Sequence, residues 1–196
     1  YKYSNSDFSS KITFLMISRI LYDKGYREFV EAAKTIQREY KDFISFERLG
    51  PGAYDSPMGV SKEEFELDMN SDTVKYLGVT DNVPLYLGRT NVVMVLPSYS
   101  EGLSRSLMEA CAMGRPVIAS NIPGCKETVE DGKNGYLIEP RSSESLVKKI
   151  EEFLKLDETK KREMGRQSRI IAEKKFDVNH VISEYDKIIN GCKNKN

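Results

Sequence analysis

The sequence predicts an α/β fold in which a Rossmann-like open parallel sheet is flanked by helices. Two observations carry that prediction. Short runs rich in β-branched residues alternate with runs of helical period along most of the 196 residues, the order that βαβ units leave in a sequence. Apolar runs such as 92–96 (VVMVL) are closed by Pro97 or by glycine-bearing loops, so each strand is short and its end is marked. A chain of this length suits one well-buried domain rather than two.

The elements follow in order. Residues 11–17 (KITFLMI) read as a buried first strand. Across residues 24–40, Tyr26, Phe29, Val30, Ala33, Ile36 and Tyr40 share one helical stripe. The second strand is 43–49, and the loop signals Gly50-Pro51-Gly52 continue to Gly59. A polar helix over 62–70 leads to a third strand ending at Tyr76-Leu77-Gly78, and a short helix over 82–89 precedes the apolar strand 92–96. Residues 104–113 form a helix that Gly114 stops. Strands follow at 116–119 (PVIA) and 135–139 (GYLIE). Leu146, Ile150, Phe153 and Leu154 mark one helix, and 160–175 a second, highly charged one. Val178, Val181, Ile182, Tyr185, Ile188 and Ile189 put an apolar stripe on a final helix, and 191–196 read as a frayed tail.

Thirty basic and thirty acidic side chains cancel. No global field therefore draws the chain to nucleic acid or an anionic membrane, and an anion site has to be built locally. The longest apolar stretches fall far short of the roughly 20 residues that span a bilayer. No signal peptide is visible, and the lack of an initiator Met marks the chain as a candidate fragment. Cys111, Cys125 and Cys192 are odd in number and form no C-x-x-C pair. With His180 the single histidine, no zinc site is expected. The thiols are expected to be reduced in a cytoplasmic protein. His180, on the polar side of the final helix, is expected to be a bystander, because a general base needs a positioned partner in a cleft.

Open sheets bind ligands beyond the carboxyl ends of their strands. Past the first strand, Arg19 and Lys24 bracket a loop that enters a helix. Arg offers a planar fork to phosphate oxygens and Lys a point charge, although both would equally serve as solvated loop residues. Past 96 comes SYSEGLSRSLME, with Glu101 in the loop, Gly102 allowing close backbone approach, and a helix start with free N–H groups. Glu109 lies inside that helix. Two carboxylates so placed suit a polyhydroxylated ligand; equally, Glu101 could complement the helix dipole and Glu109 be an exposed helical charge. Past 119, Ser120–Glu127 is a further glycine-bearing loop expected to face the same crevice. There is no P-loop, Asp55 breaks the G-x-G-x-x-G begun at Gly50 and Gly52, and no D-x-D pair for a metal–diphosphate occurs.

Taken together these residues resemble the C-terminal lobe of the retaining glycosyltransferases of family 4, which have the GT-B fold. The resemblance rests on E-x7-E at Glu101 and Glu109, Ser18-Arg19-Ile20 with Lys24-Gly25, Gly124–Glu127, Tyr76-Leu77-Gly78 and NGYLIEP, and it runs from about residue 12 to 185. It is strongest with the branch that extends lipid-linked oligosaccharides, capsule and O-antigen. The resemblance implies that Arg19 and Lys24 hold the donor diphosphate and that Glu109 binds the ribose. It also implies that Glu101, with the backbone N–H groups of Gly102, Leu103 and Ser104, meets the donor sugar and its phosphate, and that Gly78 and Val79 lie near the base. Glu101, Arg19 and Lys24 are then the catalytic candidates. The donor is expected to be a UDP-sugar held without a metal, with no other cofactor. Ser18 stands where the family usually has glycine, and Cys111 where it usually has Met or Leu.

On that resemblance, residues 1–10 are a linker from an absent N-terminal acceptor-binding lobe and 11–177 are the donor lobe. Residues 178–190 are a helix packing back toward the absent lobe, and 191–196 are the tail. The fragment alone is expected to be inactive, and the protein to be cytoplasmic or peripheral to the inner face of the cell membrane, touching membrane only through the other lobe or the acceptor. A nucleotide-sugar-binding module without catalysis, or another doubly wound domain, are the alternatives.

Overall fold

Along the first strand Phe14 and Met16 pack on one side while Leu15 packs on the other, and the same alternation recurs in VVMVL and VIAS. Side chains that alternate between two separate cores require a sheet covered on both faces. The computed structural model describes residues 1–69 and 71–193, apart from the side chains of residues 180, 181, 184 and 190–193. Its strands are β1 (Ile12–Ile17), β2 (Ile44–Leu49), β3 (Lys75–Tyr76), β4 (Val92–Leu96), β5 (Val117–Ser120) and β6 (Gly135–Ile138). They form one sheet in the order β3-β2-β1-β4-β5-β6 with every pairing parallel. The predicted α/β class and open parallel sheet are therefore present, and the order reverses between β1 and β4, where such folds place their ligands.

The helices are α1 (Tyr26–Tyr40), α2 (Lys62–Met69), α3 (Val83–Leu87), α4 (Arg105–Ala112), α5 (Pro123–Lys126), α6 (Ser143–Lys155), α7 (Glu158–Lys175) and α8 (Val178–Lys193). Helices α1 and α6 cover one face, with Phe29, Ile36, Leu146, Ile150 and Phe153 in its core. Helices α3 and α4 cover the other, with Leu87, Leu107, Ala110 and Cys111. The Cys111 side chain is fully buried, its Sγ 3.6 Å from the Thr128 carbonyl, as a packing residue. Burial pushes the Cys111 and Cys125 thiols up to about 12, which keeps them protonated and unreactive at neutral pH.

Four expectations change. The helix expected from residue 24 starts at Tyr26, because Tyr22–Lys24 forms a 3-10 turn closed by Gly25 in the left-handed conformation (φ 79°). The loop at 120–127 contains the short helix α5, with Pro123 supplying a first-turn φ. Residues 1–10 have no regular structure but are not a free linker: Ser6 and Phe8 are buried. Arg115 is fully buried and donates to the carbonyls of Ser4 (2.6 Å), Met113 (2.9 Å) and Thr90 (3.1 Å), and to the hydroxyls of Ser4 and Ser6. Five acceptors around the two terminal nitrogens of one guanidinium, three of them on Ser4 and Ser6, tie this segment down. Finally α8 continues to Lys193, so 191–193 are helical rather than frayed, while 194–196 and the His180 side chain lie outside the described residues. Its stripe of Val178, Ile182, Tyr185, Ile188 and Ile189 is exposed.

Phe8 and Phe14 both meet the buried Phe153 ring edge-on, with centroids 5.5 and 6.3 Å away. This ring joins α6, β1 and the N-terminal segment. Phe153→Ala is expected to lower stability by about 3–5 kcal/mol, read as a shift of the urea unfolding midpoint with unchanged slope.

Candidate functional site

Three loops leave the carboxyl ends of β1, β2 and β4 and meet because glycines let backbones touch. A Cβ on Gly25 would lie 2.1 Å from the Pro97 carbonyl oxygen, and one on Gly50 (φ 136°) would lie 2.0 Å from that of Ser18. Real Cβ atoms do not approach so closely, so both positions require glycine. The contact is sealed by hydrogen bonds: Tyr99 N–H donates to the Asp23 carbonyl (2.7 Å), as does the Ser98 hydroxyl (3.1 Å). Gly50 N–H donates to the Gly78 carbonyl (2.9 Å).

The result is a cavity of about 530 Å³ whose lining includes Arg19, Lys24, Val79, Glu101, Ser104 and Glu109. These predicted residues, separated by up to ninety positions, converge on one space. Lys24 Nζ is 2.8 Å from Glu101 Oε1, with side chains 18% and 14% exposed. That degree of burial makes the pair less screened than a surface ion pair. Glu109 is buried rather than an exposed helical charge: Arg105 Nε donates to its Oε1 at 2.9 Å, and the Tyr1 hydroxyl donates to the same oxygen. Ser104 caps α4, its hydroxyl accepting from Leu107 N–H. The first turn of α4 thus opens on the cavity, where Ser104, Arg105 and Ser106 line it, and its dipole favours an anion there. Among the described residues Arg19 has no carboxylate partner.

Gly78, Gly102 and Leu103 are not among the lining residues, and Leu103 is 49% exposed. Residues 120–127 do not line the cavity either, against expectation. Their role is behind the wall: a Cβ on Gly124 would lie 2.0 Å from the Gly102 carbonyl oxygen and 2.3 Å from that of Glu101. Helix α5 therefore presses directly on the backbone that presents Glu101. Gly102 itself meets nothing within 4 Å at a Cβ position, so packing gives no reason for glycine there. Sequence reasoning missed Arg105, although its i,i+4 spacing from Glu109 was a usable signal. It also missed Thr80, Asp81 and the Tyr1 contact; Tyr1 lies 108 residues from Glu109, and no local pattern announces such a pairing. Among the described residues no cluster of three or more His, Cys, Asp or Glu is arranged to hold a metal, and no helix is long and apolar enough to cross a membrane.

The family model described as "Glycosyl transferases group 1" matches residues 3–170. The chain is 32% identical, over 76% of its length and 37% of the relative's, to the N,N'-diacetylbacillosaminyl-diphospho-undecaprenol alpha-1,3-N-acetylgalactosaminyltransferase of Campylobacter jejuni. It is 31% identical, over 70% of its length and 35% of the relative's, to the Escherichia coli UDP-Gal:alpha-D-GlcNAc-diphosphoundecaprenol alpha-1,3-galactosyltransferase. Among solved structures, Anabaena HepE in complex with UDP superposes with a TM-score of 0.80 at 22% identity, covering 94% of this chain and 50% of that one. This likeness shows a shared fold. The chain spans little more than a third of the length of both curated relatives.

The two glycines of the Glu101 loop make opposite demands. Gly124→Ala is expected to cost about 1–3 kcal/mol of stability by overpacking, whereas Gly102→Ala should stay within about 0.5 kcal/mol of the parent. Urea unfolding of the two variants side by side checks both.

Proposed function

Because the chain belongs to the group 1 glycosyl transferases, we propose that it binds the donor in a protein that moves a hexosyl group from a nucleoside-diphosphate sugar to a glycan or lipid-linked saccharide. The transfer retains the anomeric configuration and needs no divalent ion. The observation that carries this reading is the meeting of Arg19, Lys24 and the first turn of α4 with the carboxylates of Glu101 and Glu109 at one cavity.

The chemistry runs as follows. A nucleoside diphosphate brings concentrated negative charge, and each charge-assisted hydrogen bond to it contributes about 1.5–3 kcal/mol. Arg19, Lys24 and the α4 N-terminus supply positive charge at the cavity wall. As the bond to the anomeric carbon breaks, negative charge grows on the leaving diphosphate, and the same groups stabilise it. Glu101 and Ser104, which line the cavity, are assigned to the donor sugar and its phosphate, and the N–H groups of Gly102 and Leu103 join them where the donor extends beyond that lining. Glu109, already oriented by Arg105, accepts the ribose hydroxyls. The Gly78–Val79 turn lies beside the base. The name of the Escherichia coli relative, a UDP-Gal enzyme, supports uracil as that base. The diphospho-undecaprenol acceptors in both relatives' names support a lipid-linked acceptor, which would supply the contact with a membrane.

In this reading the acceptor site and remaining catalytic groups belong to another lobe of the protein, and the exposed apolar stripe of α8 is a surface that such a lobe would cover. This chain alone then binds donor without turning it over. Calorimetry should show UDP binding to the chain in the presence of EDTA, with the same affinity as in magnesium; absence of heat with every nucleoside diphosphate overturns the reading. In the full-length protein Lys24→Ala should reduce turnover by about 10²–10³-fold, measured as sugar transfer from the nucleotide donor.

A further inference from the structure

Arg48 is fully buried at the end of β2, and nothing in the reading above uses it. Its surroundings set it apart from the other fully buried arginine. Arg115 is surrounded by carbonyl and hydroxyl acceptors. Arg48 has one carbonyl, that of Arg19 at 2.9 Å from Nη2, and one thioether, Met16 Sδ at 3.2 Å from Nη1. Sulfur is a weak acceptor, and no carboxylate among the described residues pairs with the guanidinium; the Arg48 Nε, like that of Arg115, has no partner. The Tyr26 ring lies 5.0 Å from its centre, a contact that offsets only a small part of the desolvation. Burial lowers Arg48 to about 10, so it stays charged at neutral pH. An uncompensated buried cation is costly for a fold to keep.

The location supplies a reason. The single carbonyl that Arg48 grips belongs to Arg19, whose own side chain lines the cavity without a carboxylate partner. The next peptide N–H, of Ile20, donates to the Pro51 carbonyl at 2.9 Å, and Pro51 also lines the cavity. Two unneutralised guanidiniums therefore stand on either side of one stretch of backbone, one facing the cavity and one behind its wall.

We propose that Arg48 is a positioning residue of the diphosphate site: it fixes the Arg19 loop by its carbonyl and completes, from behind the wall, the positive charge that an anionic ligand neutralises. The inference rests on the diphosphate reading of the cavity. Arg48 does not touch the ligand. It acts through the Arg19 backbone and through its field, which low-dielectric surroundings transmit. A binding anion then relieves an electrostatic cost already present in the empty protein, and the two are linked by the same coupling.

The test compares UDP with uridine on the wild-type chain and on Arg48→Met, Arg48→Gln and Arg48→Lys, by NMR titration at constant salt. The Met and Gln variants should bind UDP on the order of tenfold more weakly while uridine affinity is unchanged, and Lys, which keeps the charge, should recover most of the loss. Unchanged UDP affinity in the neutral variants overturns the proposal. So does an equal loss for UDP and uridine, the result of a merely structural role. If Arg48→Met fails to fold, Arg48→Gln carries the same comparison. Failure of the wild-type chain to bind UDP at all would instead count against the diphosphate reading, which separates the two.

Discussion

The site exists because three pairs of backbone segments lie closer than any side chain would allow. Gly25 touches Pro97, Gly50 touches Ser18, and Gly124 touches the Glu101–Gly102 peptide. Each contact joins segments that the sequence keeps far apart, and each would be lost if a Cβ had to be accommodated. Without the first, Lys24 would not reach Glu101; without the third, nothing would hold the Glu101 backbone from behind. The chemistry of the cavity is therefore downstream of packing. Its charges are placed by contacts that carry no charge themselves.

Once those loops are joined, the electrostatics are partly settled before any ligand arrives. Lys24 is held against Glu101 and Arg105 against Glu109, so two cations and two carboxylates are already oriented around the cavity. Preorganisation of this kind avoids the cost of ordering long side chains during binding. Arg19 and Arg48 are the exceptions, since neither meets a carboxylate among the described residues. The imbalance is concentrated on the β1–β2 side, which gives the cavity a direction: unpaired positive charge toward Arg19, oriented carboxylates toward Glu101 and Glu109.

The N-terminal segment adds a further dependence. Its ten residues are bound by Arg115, by the Phe8–Phe153 contact and by Tyr1, whose hydroxyl reaches Glu109. A segment without regular structure thus connects the rear of the fold to a carboxylate of the cavity. The family resemblance reads it as a linker; Arg115 and Phe153, more than a hundred residues away in sequence, make it part of the domain.

Much of the molecule was legible in the chain itself. The short apolar runs in KITFLMI and VVMVL, the stripe Tyr26-Phe29-Val30-Ala33-Ile36, and the stops at Pro97 and Gly114 are local properties of the sequence, and they located the sheet and its covering helices within a few residues. The spacing of Arg19, Lys24, Glu101 and Glu109 likewise pointed to the strand ends that do meet. What local pattern could not decide was the purpose of each glycine and the balance of each charge. Gly102 and Gly124 look alike in sequence, yet one stands in open space and the other is pinned against backbone; Arg48 and Arg115 look alike, yet Arg115 meets five carbonyl and hydroxyl acceptors and Arg48 only one carbonyl and a thioether. Close approach and charge compensation depend on neighbours tens of residues away, so they come into being only when the chain has folded.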